Sequence, residues 1–337
     1  MGRMGARREP LDILTVGEMV VDFISDEKTD SLDNASTFRR YLGGSPSNIA
    51  VQASKLGGKS AVISKTGIGS FGKFLKSELQ RHGVSTRYLV MDHLTNTSII
   101  FVSSTDGTPD FEEFRSGDYM LEPDEVSEEA VSRARVVHAS TFALSREPCR
   151  SAVFRAFDLA AEQDKIVSFD PNYSRRVWPD YKEAMRTIRD IYRRVGVTKP
   201  SLDDAERVFG GGYDPEQYIE MFHDLGPNTV VLTMGSDGML VSEDGEITGH
   251  VPAREIEVKD ATGAGDSFWA GYLMALLDGD TPLRAAVFGR EIAEMKLARV
   301  GAMQEEMDRG EIRARLEDAT HAAHADGHRK ADDETER

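Results

Sequence analysis

A chain of 337 residues with 39% hydrophobic and 29% charged side chains can bury one large core, and no apolar run in it approaches the span of a bilayer. Its formal net charge of −17, from 41 basic against 58 acidic side chains, argues against binding nucleic acid through the body of the protein. The single cysteine, Cys149, excludes an intramolecular disulfide and a cysteine-based zinc site. The basic segment Met1–Pro10 lacks the apolar stretch of a secretory signal, so the expected location is the cytoplasm.

In chain order, Leu11–Met19 is short and apolar, the pattern of a buried first strand, and Val20–Ile24 continues it with alternation. Ser25–Ser36 is polar and acidic and reads as a loop. Helical periodicity over Ser47–Leu56 follows the Gly43-Gly44 turn, with Pro46 near the first turn. Ser60–Lys65 reads as a strand and Phe71–His82 as a helix stopped by Gly83. Thr97–Ser103 is β-branched and alternating, and Pro109–Arg115 is placed to pair with it across the Asp106-Gly107 turn.

From Val136 strands and helices alternate. Strands are predicted at Val136–Ala139, Ile166–Asp170, Gly196–Thr198, Thr229–Met234 and Gly238–Ser242. Helices are predicted at Pro148–Gln163, Asp180–Val195, Asp203–Phe209, Pro215–Leu225, Asp266–Leu277 and Leu283–Leu297. Such alternation implies an α/β fold, a mostly parallel central sheet with helices on both faces in three layers. Two β-like segments, about 20–42 and 97–118, interrupt it. Residues 1–10 and 317–337 read as disordered tails around a folded domain of 11–316.

The chemistry concentrates at residues 259–274. Gly263, Ala264 and Gly265 precede the carboxylate Asp266, and an apolar run with helical spacing follows: Phe268, Tyr272, Ala275, Leu276. A glycine turn opening a helix leaves backbone N–H groups free at the positive end of the dipole, a site for phosphate oxygens. A carboxylate there is ordinarily a helix cap, but a cap requires neither glycine. A base beside an anion cradle is what transfer of a phosphoryl group to an alcohol requires.

Other candidates carry alternatives. Asp22 closes a buried strand pair, where a ligand-facing carboxylate and a solvated strand-end acid are both open readings. Gly43 and Gly44 either pass the backbone close to a ligand or make a simple turn, and Asn48 offers both a donor and an acceptor. Asp170-Pro171-Asn172 has turn chemistry as well as a place at a strand end. Ser201 and Asp203 suit the cap of the helix that follows. Gly67-Ile68-Gly69-Ser70-Phe71-Gly72 has the spacing of a dinucleotide-binding turn, and Asp92 stands near the place of the acidic residue that such a site needs. An NAD-dependent oxidoreductase using this turn is therefore the competing reading from another class.

The segment Asp260-Ala261-Thr262-Gly263-Ala264-Gly265-Asp266 resembles the signature of the ribokinase-like sugar kinases, the phosphofructokinase-B family, with Ala261 in place of the usual Thr. Gly43-Gly44-Ser45-Pro46-Ser47-Asn48 and Gly17-Glu18-Met19-Val20-Val21-Asp22 add to it, over roughly residues 11–316. The resemblance implies an ATP-dependent kinase with a ribokinase-like fold and a small β lid made by the two interrupting segments, through which such kinases often pair as homodimers. It implies that Asp266 takes the proton of a primary sugar hydroxyl beside Gly263, Ala264 and Gly265. Asp22, Gly43, Gly44, Asn48, Phe101, Arg115 and Asn172 would bind the sugar. Lys199, Thr233, Gly235, Gly238, Gly263 and Gly265 would bind ATP.

Asp204 stands where the family orders Mg²⁺, although Ser201 replaces the usual Asn. Gly301, Ala302 and the loop around Val258–Asp260 lie where relatives hold a monovalent cation such as K⁺. Ser174 replaces the Arg common after Asn172, and Gly69 replaces an Asp. The resemblance is nearest to fructokinases, so fructose is the expected substrate. 2-Keto-3-deoxygluconate is the alternative, with Arg115 or Arg175 meeting its carboxylate.

Overall fold

The computed structural model describes residues 9–105, 110–178, 180–259, 262–299 and 306–316. Thirteen strands are described: β1 Leu11–Val16, β2 Val20–Lys28, β3 Phe38–Gly43, β4 Ser60–Gly67, β5 Leu89–Asp92, β6 Ile99–Ser104, β7 Phe111–Phe114, β8 Ala134–Ser140, β9 Ile166–Asp170, β10 Val197–Thr198, β11 Thr229–Thr233, β12 Met239–Glu243 and β13 Glu246–Val251. The helices are α1 Ser45–Lys55, α2 Ser70–Arg81, α3 Glu128–Arg133, α4 Thr141–Leu144, α5 Cys149–Glu162, α6 Tyr181–Tyr192, α7 Leu202–Phe209, α8 Pro215–Leu225, α9 Ala264–Leu277 and α10 Pro282–Leu297.

Nine strands form one sheet in the order β13-β12-β11-β10-β9-β8-β1-β4-β5. It is parallel from β11 through β5, and only β12 and β13 run antiparallel. Strands covered on both faces need apolar residues at successive positions, which is what the unbroken apolar runs supply. In β1, Leu14 packs with α5, α6 and α8 on one face, while Ile13 packs with α1, α9 and α10 on the other. The α9 helix is buried nearly all round, between the sheet and α10. Gly271 and Gly289 let α9 and α10 touch, since a Cβ at Gly289 would stand 2.7 Å from the Phe268 carbonyl.

The four-stranded lid has the order β3-β2-β6-β7 and comes from the two interrupting segments. The expected pairing of the second segment holds, as β6 and β7 are antiparallel, but their connecting turn lies outside the described residues. β2 runs on to Lys28, into the stretch expected to be a loop, because it bonds to both β3 and β6. Helix α9 begins at Ala264, two residues before its expected start. The expected tails fall almost wholly outside the described residues, and a helical stretch at 309–316 closes the domain.

Candidate active site

Parallel strands bring their carboxyl ends to one edge of the sheet, and loops there carry the candidate residues. Gly263 adopts a left-handed backbone (φ 73°) and opens α9 without a side-chain cap, and no atom lies within 4 Å of where its Cβ would be. The first-turn N–H groups thus face an open region with the dipole behind them.

Asp266, in that first turn, does not cap its own helix. Its Oδ1 accepts from Ser45 Oγ at 2.6 Å and its Oδ2 from Asn48 Nδ2 at 2.9 Å, both in α1. Burial pushes its carboxyl above the ordinary range, against the lowering influence of Ser45, Asn48 and the Lys199 charge. Asn48 therefore orients Asp266 directly.

A cavity of about 270 Å³ opens between the lid and the sheet edge. Glu18, Asp22, Gly44, Ser45 and Asn172 line it on the polar side, and Val20, Ile100, Val102, Phe111, Phe142, Val177 and Trp178 on the apolar side. Ser45 joins this wall to Asp266 by one hydrogen bond. Burial, and then the negative charge of Asp266, raise the Asp22 carboxyl to about 7. A Cβ at Gly43 would stand 2.2 Å from the Asp22 carboxyl, so a larger residue there would have to displace that side chain. Gly44 must be glycine: its φ is 95°, and a Cβ would come within 2.6 Å of the Glu18 carbonyl. Both glycines thus pack against the two carboxylate residues of the cavity wall.

Several expected site residues are placed elsewhere. Phe101 points to the other face of the lid, away from the cavity that Ile100 and Val102 line. It packs there against Phe23, Phe38 and Phe114 at 5.0–6.1 Å between ring centroids. Arg115 is buried and its charge is matched by Asp118, at 2.7 Å, while its remaining donors go to Ser145 and Phe142. Gly238 is required by its hairpin, since a Cβ would collide with the Val251 carbonyl, whereas Gly235 faces open space. Thr233 ends β11 and donates its N–H to the Pro200 carbonyl.

Glu18 is the cavity residue that sequence reasoning missed. It is 3% exposed, its Oε1 accepts from Ser140 Oγ at 2.9 Å, and its Oε2 has no partner. A carboxylate set among apolar residues, just after Gly17, is the signal that could have found it.

Beyond Asp266, Lys199 Nζ lies 2.8 Å from Asp170 Oδ2, with both side chains at most 8% exposed. Burial alone would lower the Lys199 pKa, but Asp170, Asp204 and Asp266 outweigh it and raise it. The same ammonium stands 3.5 Å from where a Cβ of Gly265 would be, beside the first turn of α9. Asp204 forms a capping box: its Oδ2 accepts from Ser201 N and Oγ, and its Oδ1 accepts from Tyr173 N at 2.9 Å.

The Gly67–Gly72 turn does join a strand to a helix, and Asp92 ends the neighbouring strand. Its first and third glycines accommodate the protein's own backbone. A Cβ at Gly67 would meet Thr95 O at 2.6 Å, and one at Gly72 would collide with Gly67 O. Gly69, the middle glycine, has no described atom within 4 Å of where its Cβ would be, so the turn itself does not decide between the two readings. Of the residues expected to hold a monovalent cation, Asp260, Gly301 and Ala302 lie outside the described residues, while Val258 is exposed and Lys259 donates its N–H to the Leu297 carbonyl.

The model of the pfkB family carbohydrate kinases matches residues 11–308. The chain belongs to this family. An ATP-dependent 6-phosphofructokinase of Thermoanaerobacterium thermosaccharolyticum is 38% identical over 293 residues, 87% of this kinase and 89% of that protein. A solved fructokinase of Halothermothrix orenii is 37% identical, with a TM-score of 0.75 over 87% of this kinase and 100% of that chain. A solved fructokinase double mutant of Vibrio cholerae O395, in a fructose, ADP and potassium ion bound form, is 26% identical with a TM-score of 0.79, over 91% of this kinase and 99% of that chain. The expected carbohydrate-kinase family and the expected fold are therefore both shown.

Proposed function

We propose that this kinase transfers the γ-phosphoryl group of ATP to a primary hydroxyl of fructose. The observation that carries the reading is the juxtaposition of Asp266, held by Ser45 and Asn48, with a cavity walled by Asp22 and Glu18 and lined by no lysine or arginine. The sugar lies in that cavity, with Asp22, Gly44 and Asn172 at its hydroxyls. ATP lies across the carboxyl ends of β9, β10 and β11 near Thr233 and Gly235, its phosphates against the first turn of α9 and Lys199. Asp266 accepts the proton of the attacking hydroxyl, while Lys199 and the N–H groups of Gly263–Gly265 meet the charge on the phosphates.

Mg²⁺, when bound with ATP, would neutralise phosphate charge. The residues fit a water-mediated site, since Asp170 Oδ1 is buried without a partner and both Asp204 oxygens already accept from the protein. K⁺ is proposed from the Vibrio cholerae fructokinase and from the family pattern around Gly301.

The 38%-identical 6-phosphofructokinase favours a second reading, a phosphorylated acceptor. The lining opposes it: a sugar phosphate would bring a dianion into a cavity of acidic and apolar side chains with no described cation to match it, and burying an unpaired charge is costly. The carboxylate of 2-keto-3-deoxygluconate meets the same obstacle, because Asp118 already matches Arg115, and Arg175 lies over the Tyr181 ring and is not in the cavity lining. An ATP-coupled assay decides. Fructose is expected to exceed fructose 6-phosphate and 2-keto-3-deoxygluconate by about 100-fold or more in kcat/KM, the scale of two lost charge-assisted contacts. A preference for either anion overturns the substrate assignment.

The outer face of the lid supports a homodimer. Phe23, Phe38, Phe101 and Phe114 form one aromatic cluster there, and Phe114 is 52% exposed. Sedimentation should give a dimer that Phe114→Glu weakens; a monomeric wild type would refute the pairing.

A further inference from the structure

Two polar atoms in the wall of the sugar cavity are buried and have no partner among the described residues: Glu18 Oε2 and Trp178 Nε1. Both side chains are 3% exposed, and both line the cavity. Native proteins seldom leave such atoms unpaired unless a ligand or water completes them. The indole N–H can only donate. Glu18 already accepts one hydrogen bond, from Ser140, through Oε1. Its backbone is locked in place, because Gly44 packs against the Glu18 carbonyl with no room for a side chain. Glu18 is therefore a fixed group with one oxygen to offer.

From this arrangement we infer that Glu18 is a specificity-determining residue, pairing through Oε2 with a hydroxyl of the sugar other than the one attacking at Asp266, with Trp178 Nε1 as a second donor to the same region. The inference rests on the sugar-kinase reading and deepens it. Burial raises the Glu18 carboxyl to about 8, with a hydrogen bond from its own backbone, Ser140 and the nearby Arg115 only partly offsetting this and Asp118 adding to it, so at neutral pH the side chain keeps its proton. Oε2 then carries a hydrogen to donate, and a sugar oxygen can accept from both Oε2 and the indole. A hydroxyl replaced by hydrogen leaves both buried donors unpaired, which is the arrangement that gives enzymes their steepest discrimination. A phosphate ester at that hydroxyl would meet an apolar wall and an acid.

The test is a coupled assay of wild type, Glu18→Ala, Glu18→Gln and Trp178→Phe against fructose and its set of monodeoxy analogues. One analogue other than that lacking the attacking hydroxyl is expected to lose about 100-fold in kcat/KM with wild type. Glu18→Ala should treat that analogue and fructose alike within a few-fold, Glu18→Gln should restore part of the discrimination, and the KM for ATP should stay level throughout. Unchanged discrimination in Glu18→Ala, or a parallel rise in the KM for ATP, overturns the inference. If Glu18→Ala does not fold, as thermal unfolding would show, the near-isosteric Glu18→Gln and Trp178→Phe carry the comparison, and wild-type selectivity in both overturns it. Wild-type turnover of fructose tests the substrate itself. Should another neutral hexose be preferred, its deoxy series replaces that of fructose and the Glu18 comparison proceeds unchanged.

Discussion

An Asp266→Asn variant is expected to bind ATP as wild type does and to turn over about 10²–10⁴-fold more slowly, the usual worth of a general base. The amide has the size of the carboxyl and can still accept from Ser45, so the first turn of α9 should keep its place. It cannot take a proton from the attacking hydroxyl. Its NH₂ also faces the Asn48 amide, which now donates to Asp266 Oδ2 at 2.9 Å, so Asn48 must turn over to restore a bond. The pH profile separates lost chemistry from lost binding. Because burial raises the Asp266 carboxyl, the base is protonated, and wild-type kcat/KM falls, as pH drops through a value above the ordinary carboxyl range. That acid limb should disappear in the variant, leaving only limbs due to other groups such as Asp22, whose own limb should move to lower pH because the Asp266 charge no longer raises it. Titration of ATP by calorimetry and steady-state rates over a pH series measure both. Activity within ten-fold of wild type would remove Asp266 from its role.

The largest effect on stability is expected at Lys199. Lys199→Met removes one partner of a buried pair, and breaking such a pair costs about 3–5 kcal/mol because the remaining charge loses its match. The residue left behind is Asp170, 4% exposed in its side chain, which burial already raises to about 6 with Lys199 present. Without the ammonium its pKa rises further. The folded variant then holds a proton on Asp170 over a range where the unfolded chain has released it. Stability of the variant therefore falls as pH rises from the ordinary carboxyl range through the new folded value. Urea unfolding should show a deficit that is larger at pH 8 than at pH 5. A deficit below about 1 kcal/mol at pH 8 would mean that Asp170 finds another partner.

The sheet was legible in the sequence because parallel strands buried on both faces announce themselves as short apolar runs, as in β4 and β9. The elements that escaped lack that mark. β5 is four half-buried residues. β13 is an exposed edge strand of mixed character held by β12. α3 and α4 are too short to show a period.

The candidate site divides the same way. Asp266 and its glycines stand together in the chain and could be read there. Glu18, Asn48 and Arg115 depend on partners far away: Asn48 meets Asp266 218 positions on, and Arg115 meets Ser145 30 positions on. No local pattern records such pairings, so Arg115 read as a free cation and Asn48 as a sugar ligand. Asp204 shows the reverse, since the Ser201–Asp204 spacing of a capping box was on the page and the family pattern drew attention elsewhere.

The bond between Ser45 and Asp266 joins positions 221 residues apart. A chain emerging from the ribosome completes the lid and most of the sheet before it makes the carboxyl that will act. Until α9 docks against α1, Asp266 has neither of its two tethers. On the proposed role of Asp266, an unfinished chain therefore lacks the positioned base that phosphoryl transfer needs.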